Sequence, residues 1–215
     1  MYHYAYLTGA IIIFPVWLIL LIIRKAYIKR MVLVGLYVVL LAIPLQFLFY
    51  SKDYWNPLKN ISVLTLFYQE SIFAFILGGI VSVIYKIHNR KHNNFKLINF
   101  ILPIIILFSS LLIFTNGLKL NSIYSSDIGF GITAFMILYI KPEFIKKSIF
   151  SGFYMTIISI IGYQIILTIY PNLINDWWLL KNISGILFLG IPIEEIIWFA
   201  LFGFSFGPIY DFWTE

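Results

Sequence analysis

Three carboxylates stand inside otherwise apolar stretches of this chain: Glu70, Glu194 and Glu195. The last two are adjacent in Pro192-Ile193-Glu194-Glu195-Ile196-Ile197-Trp198-Phe199, within an apolar run from Ile183 to about Phe206. At helical rise those roughly 24 residues reach ~36 Å, enough to cross a bilayer, and Glu195 falls ~18 Å from the start, close to the midplane. An ionisable group at that depth costs about 3 kcal/mol or more, so it is a functional-site hypothesis by default. A neutral carboxylic acid in an apolar pocket can donate a proton, and a neighbouring carboxylate can accept one. No lysine or arginine falls inside a predicted span, so the acids are expected to lack a cationic partner there. Successive helix positions lie ~100° apart, which puts Glu195 on a face with Trp198, Phe199 and Phe202, and Glu194 on one with Trp198 and Leu201. Pro192 lacks an N–H and either kinks this helix or breaks it. A complete break would place both acids in a first helical turn, where the dipole favours negative charge. The sequence leaves both outcomes open.

The competing reading of these acids is interhelical hydrogen bonding, with Gln46 and Gln164 as partners, at about 0.6–2 kcal/mol each. Two adjacent acids exceed what that role requires, since glutamine would serve at lower cost. The many rings around them are mostly expected to pack or face lipid. Their functional reading is a cation–π lining for a carbocation in an apolar pocket.

The elements that must hold these groups are membrane helices. Of 215 residues, 61% are hydrophobic and 11% charged, with a mean hydropathy of +0.94, which no soluble globular domain matches. Seven apolar runs are predicted to span: Tyr6–Ile23, Met31–Tyr50, Ile61–Tyr85, Leu97–Phe114, Ile128–Ile140 (extendable back to Ser122), Ser148–Tyr170 and Ile183–Phe206. Alternate loops carry eleven of the basic residues, among them Arg24, Lys25, Lys29, Arg30, Lys86, Arg90, Lys91, Lys96, Lys141, Lys146 and Lys147. The opposite loops carry only Lys52, Lys59, Lys119 and Lys181. The positive-inside rule then places the N-terminus outside and the C-terminus in the cytoplasm, for a prokaryotic inner membrane. The net charge of +6 sits in these loops, so no nucleic-acid partner is expected. Charge follows the first apolar run, unlike a cleaved signal peptide. No cysteine is present, which excludes disulfides and thiolate chemistry. His3, His88 and His92 all fall outside the runs, His88 and His92 in a basic loop, so neither a metal site nor a cofactor is expected at depth. With no lysine inside a span, a retinal-type Schiff base is not expected either. Tyr2, Tyr4, Tyr54, Trp55, Trp177, Trp178, Tyr210 and Trp213 read as interfacial anchors.

An internal repeat organises the rest. Lys59-Asn60-Ile61-Ser62 recurs as Lys181-Asn182-Ile183-Ser184, each after a tryptophan-containing loop, and Glu70 and Tyr85 then match Glu195 and Tyr210 at one common shift. The expected architecture is an all-α polytopic membrane protein of two parallel three-helix repeats, residues 1–96 and 121–215, joined by a connecting helix within 97–120. Parallel repeats of this kind can face their acids toward one central cavity.

Pro192-Ile193-Glu194-Glu195-Ile196-Ile197-Trp198-Phe199 resembles the Pro-x-Glu-Glu/Asp-x-x-aromatic signature of the membrane-type lycopene cyclase domain. The resemblance extends loosely to the basic loop after the first span, the tryptophan before the third, Lys141-Pro142-Glu143 and the Tyr210-Asp211 ending. The first half departs from it. Phe67-Tyr68-Gln69-Glu70 stands where the family usually has Pro-Leu-Glu-Glu, and Leu45-Gln46 where it has Trp-Asp. The resemblance implies a redox-neutral cyclisation of an acyclic polyprenoid end group: an acid protonates the terminal double bond, an internal alkene attacks the cation, and a base removes a ring proton. It implies no cofactor, a carotenoid-like substrate dissolved in the bilayer, and homo- or hetero-oligomers. Glu194, Glu195 and Glu70 are then the catalytic candidates. Trp198, Phe199, Pro192, Gln69, Gln46 and Gln164 are the candidates for contacting substrate. Two alternatives are a non-catalytic lipid- or carotenoid-binding protein and a proton-coupled transporter that uses the three glutamates as a relay.

Overall fold

The computed structural model describes residues 2–85 and 95–214; Lys86, His88, Arg90, Lys91 and His92 lie outside the described residues. Among the described residues seven helical segments are long and apolar enough to cross a membrane, and the chain is an integral membrane protein. The principal helices are α1 (Ala5–Ile23), α2 (Ile28–Leu45), α3 (Val63–Val83), α4 (Leu97–Ser110), α5 (Ser122–Ile140), α6 (Ile145–Ile169), α7 (Ile193–Phe206) and α8 (Ile209–Thr214). Helices α2 and α4 continue through wider π turns, Gln46–Tyr50 and Leu111–Gly117. Such turns re-aim side chains and recur at functional sites. Here the first one carries Gln46 and Tyr50.

Within the first half α3 packs chiefly on α2 and then on α1; within the second half α7 packs chiefly on α6 and then on α5. Lipid tails are as apolar as these side chains, so association rests on close packing. Glycines permit it at both principal contacts. A Cβ on Gly78 would stand 2.8 Å from the Val34 carbonyl oxygen and 2.9 Å from the Gly35 Cα. One on Gly203 would stand 2.6 Å from the Ser151 carbonyl oxygen and 2.8 Å from the Gly152 Cα. The two halves touch through α1 against α6 and, more sparsely, α3 against α7.

The last predicted span is corrected by the structure. Residues from Ile183 do not start a helix. A 3₁₀ turn (Leu180–Asn182) leads into a small antiparallel hairpin, β1 (Leu187–Phe188) and β2 (Ile191–Pro192). Its two turn residues, Leu189 (φ 54°) and Gly190 (φ 78°), both have positive φ, the twist that a tight hairpin demands. Pro192 is extended (ψ 131°) and caps α7, so the break at this proline is complete. The spanning segment is shifted to Ile193–Thr214. Glu194 and Glu195 therefore occupy the first turn of a helix and not the middle of a span. Glu70 is the eighth residue of α3, ~10 Å along its axis.

The shift also carries Asp211 into the buried structure and corrects the expectation of no internal cation. Arg30 of α2, 2% exposed, donates to Asp211 from both terminal nitrogens, at 2.5 and 3.0 Å, and from Nε to the Ser82 carbonyl at 2.7 Å. Its guanidinium lies 5.0 Å over the Tyr210 ring. Lys147, buried in the first turn of α6, also pairs with Asp211. Both cations stand at helix starts, so the hydropathy pattern assigned them to loops, while their side chains reach inward to a shared carboxylate. Removing one member of a buried ion cluster strands the others, at about 3–5 kcal/mol. Asp211→Asn is expected to destabilise the detergent-solubilised protein by about that amount in chemical denaturation, whereas Arg24→Gln should change it by less than about 0.5 kcal/mol.

Candidate functional site

Glu195 is held from three sides. Its backbone sits in the first turn of α7 because Pro192 cannot continue a helix N-terminally and the hairpin delivers the chain at that point. Its Oε1 accepts hydrogen bonds from the Tyr54 hydroxyl at 2.5 Å and from Trp178 Nε1 at 3.0 Å. The Tyr163 phenol of α6 lies against the same carboxyl group. Tyr54 and Trp178 come from the loops before α3 and α7. Those loops are laced together by the Asn56 N–H to the Trp177 carbonyl at 2.7 Å, the Leu179 N–H to the Tyr54 carbonyl at 2.9 Å and a bridge between Trp55 and Trp178. The loop tryptophans and Tyr54 were expected to be interfacial anchors. Trp177 is instead 1% exposed, Tyr54 2% and Trp178 5%, all packed inside. Tryptophan preceding Lys-Asn-Ile-Ser in both halves was the sequence signal that could have found them.

Glu195 and Glu70 open onto one cavity of about 160 Å³ between the halves. Trp198 and Phe199 follow Glu195 on its helix face and line the same space, as their spacing predicted. Trp198 stacks on Phe202 at 5.3 Å and donates to the Tyr50 hydroxyl at 3.0 Å. Tyr6, Trp55, Phe73 and Phe130 complete much of the aromatic wall. Glu70 is 6% exposed; the Tyr6 phenol lies against it, and its Oε2 has no hydrogen-bond partner. Gln46 also lines the cavity, but its amide is committed. It accepts from Trp55 Nε1 at 3.0 Å and donates to Ser51 Oγ at 2.8 Å, which makes it a support for a wall tryptophan.

The other sequence candidates fall outside the lining. Glu194 turns away, and its Oε1 accepts from the Tyr124 hydroxyl at 2.8 Å and the Ser184 N–H at 2.9 Å, tying the hairpin's base to α5. Gln69 stands at the matching position before Glu70. Its side chain accepts from the Leu7 N–H at 3.1 Å and donates to the His3 carbonyl at 2.9 Å, pinning the start of α1. Gln164 donates to the Leu189 carbonyl at 2.8 Å and so holds the hairpin tip. Pro192 shapes the helix start. A carboxylate missed by the sequence reading, Asp127 of α5, lies within electrostatic reach of Glu194 and Glu195, with its Oδ1 buried and unpartnered. Among the described residues no three His, Asp or Glu side chains stand together as a metal site would require.

This arrangement is an apolar, ring-lined space with few polar groups on it. It puts two carboxyl groups at its wall, one with converging donors and one with an oxygen left open. Converging donors suit a carboxylate, while an acid carrying its own hydrogen needs none. Burial, and then the Glu195 charge, push the Tyr54 phenol well above its ordinary value, so it remains a donor. Above about pH 10 an unfolded chain would release this proton while the folded one keeps it; the contribution to stability is constant below that pH and falls above it. In a spectrophotometric titration of the folded protein, Tyr54→Phe is expected to remove no amplitude from the tyrosinate transition near pH 10. Lost amplitude there would show an accessible phenol.

Residues 121–213 match the lycopene cyclase family model, and the first 120 residues lie outside the match. The Pro192–Phe199 motif, Trp178, Tyr163 and Asp211 all fall within the matched segment. Neither a curated protein nor a solved structure matches the chain.

Proposed function

We propose that the protein is a carotenoid cyclase-like membrane enzyme that closes a ring at the end of an acyclic polyprenoid, without redox change. One observation carries this reading: a single aromatic-walled cavity holds Glu70 from the first half and Glu195 from the second, and its remaining wall is almost entirely apolar. The lycopene cyclase match over residues 121–213 supports the same chemistry. In the proposed reaction Glu70 delivers its proton to the terminal alkene. The resulting cation is attacked by an internal double bond, and Glu195 takes a proton from the new ring. One proton enters the hydrocarbon and one leaves, so atoms and charge balance. Rings such as Trp198 and Phe199 face the cation, an interaction that strengthens when water is absent. Excluding water also protects the cation from capture.

The cavity's size limits what enters it. An apolar cavity of about 150 Å³ holds a molecule the size of benzene. A space of about 160 Å³ therefore suits one end group, with the remainder of a long polyene extending beyond it. The first-half departures from the family pattern fit this picture. Gln69 replaces an acid at a position that faces the α1 backbone and not the cavity. By the distribution of basic loops the proposed orientation is N-terminus outside in a prokaryotic cytoplasmic membrane. The two halves read as parallel repeats that each contribute one acid.

The test is expression in a bacterial host that accumulates lycopene, followed by pigment extraction. Conversion of red to yellow pigment is expected. Glu195→Gln and Glu70→Gln should each lower it about 10²–10⁴-fold, the usual worth of an acid or base. Glu194→Gln should lower it less than either. Well-folded wild-type protein that forms no cyclic product from lycopene or any other acyclic polyprenoid would overturn the proposal. Proton-coupled uptake into liposomes would favour a carrier instead.

A further inference from the structure

Under the cyclase reading proposed above, the cavity takes one end group, and the rest of a long polyene has to lie elsewhere. A hydrocarbon chain needs an apolar way out of the bundle, and the seams between the halves differ in what they offer. We propose that the chain of the substrate leaves the cavity between α1 and α6, through a gap at Gly9 and Gly162, and continues into the bilayer.

The seam between α1 and α6 uses one pattern twice. Gly9 and Ile13 lie four residues apart on α1, and Gly162 and Ile166 four apart on α6, so each pair shares a helix face. Across the seam the pairs interleave. A Cβ on Gly9 would stand 3.7 Å from Ile166 Cδ1, and one on Gly162 would stand 3.8 Å from Ile13 Cγ2. All four residues line the cavity, and both glycines are partly exposed. These separations are ordinary van der Waals contact, unlike the 2.6–2.9 Å that a Cβ would meet at Gly78 and Gly203. Close backbone approach therefore accounts for Gly78 and Gly203 but not for Gly9 and Gly162, where alanine would fit. What the two missing side chains leave is room at the edge of the cavity. The seam is pinned beside Gly9, where the Thr8 and Tyr170 hydroxyls stand 3.4 Å apart. The gap itself is walled by isoleucine and Phe73.

Between α2 and α5 the packing is closed by α4. The Tyr37 hydroxyl of α2 donates to the Phe100 carbonyl of α4 at 3.0 Å. Gly129 of α5 faces α4 so closely that a Cβ would meet Leu107 Cδ1 at 2.9 Å and Ser110 Cβ at 3.2 Å. Leu107 lines the cavity from that side and is 1% exposed. The α1–α6 gap also opens beside an acid that calls for a ligand. Phe73, which a Cβ on Gly9 would meet at 3.8 Å, follows Glu70 by three residues on α3. Glu70 is 6% exposed, lines the cavity and has an Oε2 without a hydrogen-bond partner. A chain lying in the gap would bring its terminal double bond to that oxygen.

The experiment uses the absence of cysteine from the chain. Ile13→Cys with Gly162→Cys places two thiols across the α1–α6 seam, and Gly9→Cys with Ile166→Cys is a second such pair. Ser110→Cys with Gly129→Cys links α4 to α5 as the comparison. Each full-length double variant is reconstituted in lipid nanodiscs, and disulfide formation is followed by loss of maleimide-reactive thiol, with and without lycopene. At lycopene ten times above its Kd, closure of both α1–α6 pairs is expected to slow about 10-fold, because the chain occupies the gap in most molecules. Closure of the α4–α5 pair should be unchanged. Once closed, the α1–α6 disulfides should lower lycopene turnover at least about 10-fold relative to the same protein reduced, and reductant should restore it. Equal closure rates with and without lycopene, or full turnover with the α1–α6 seam locked, overturn the route. Failure of the wild type to form a ring from any acyclic polyprenoid overturns the cyclase reading instead, so the two failures are distinguishable.

Discussion

Everything at this site depends on satisfying one buried carboxyl group. In an apolar interior its oxygens need hydrogen-bond partners supplied by the protein, or its burial is too costly to keep. Glu195 receives them from Tyr54 and Trp178, residues on two different loops. To converge on one oxygen those loops must lie side by side, and their backbones do so through the bonds from Asn56 and Leu179. The loops in turn fix where α3 and α7 begin. Ser62, after the first loop, caps α3 by accepting from the Thr65 N–H at 3.2 Å. Ser184, after the second, opens the hairpin that ends at Pro192. A single acceptor thus sets the spacing between the halves at one end of the bundle.

At the other end a second carboxylate does the converse. Asp211 gathers Arg30 and Lys147 from the starts of α2 and α6. Those two helices are the principal partners of α3 and α7, and each crosses its partner at glycines that allow backbone contact. Gly78 and Gly203 stand at the same separation along the chain as Glu70 and Glu195. The helices are therefore clamped by charge at one end, by close approach in the middle and by a hydrogen-bonded loop pair at the other. A cavity is left where the halves face each other, and small residues, Gly9 and Gly162, stand at that contact.

The adjacent acids separate into two roles because consecutive helix positions point in different directions. Glu194 is engaged by a backbone N–H and Tyr124 and braces the hairpin; Glu195 opens onto the cavity. The pair Gln69 and Glu70 divides in the same way, with the amide tied to the α1 backbone and the acid on the cavity. An amide can brace as well as an acid can, which accounts physically for glutamine at position 69. The proton transfer proposed at the cavity wall would not tolerate that exchange.

Much was legible from residue types and spacing alone. Apolar runs located seven membrane segments, because a helix in lipid must be apolar over its whole length. The rarity of acids in such runs pointed to Glu70, Glu194 and Glu195 alike, of which only Glu70 and Glu195 line the cavity, and helical periodicity put Trp198 and Phe199 beside Glu195. What the one-dimensional pattern could not decide was depth, direction and partnership. Hydropathy read Ile183–Phe206 as one helix, yet positive φ at Leu189 and Gly190 folds its first part into a hairpin and moves the span toward Asp211. Arg30 and Lys147 counted as loop charges because a sequence records where a backbone lies and not where a long side chain ends. Tyr54 and Trp178 looked like surface anchors, and only the pairing of two loops more than a hundred residues apart turned them inward onto one oxygen. The sequence by itself determined which groups are available for chemistry, since composition sets that. The tertiary structure decided which of them meet, since that rests on contacts between residues distant in the chain.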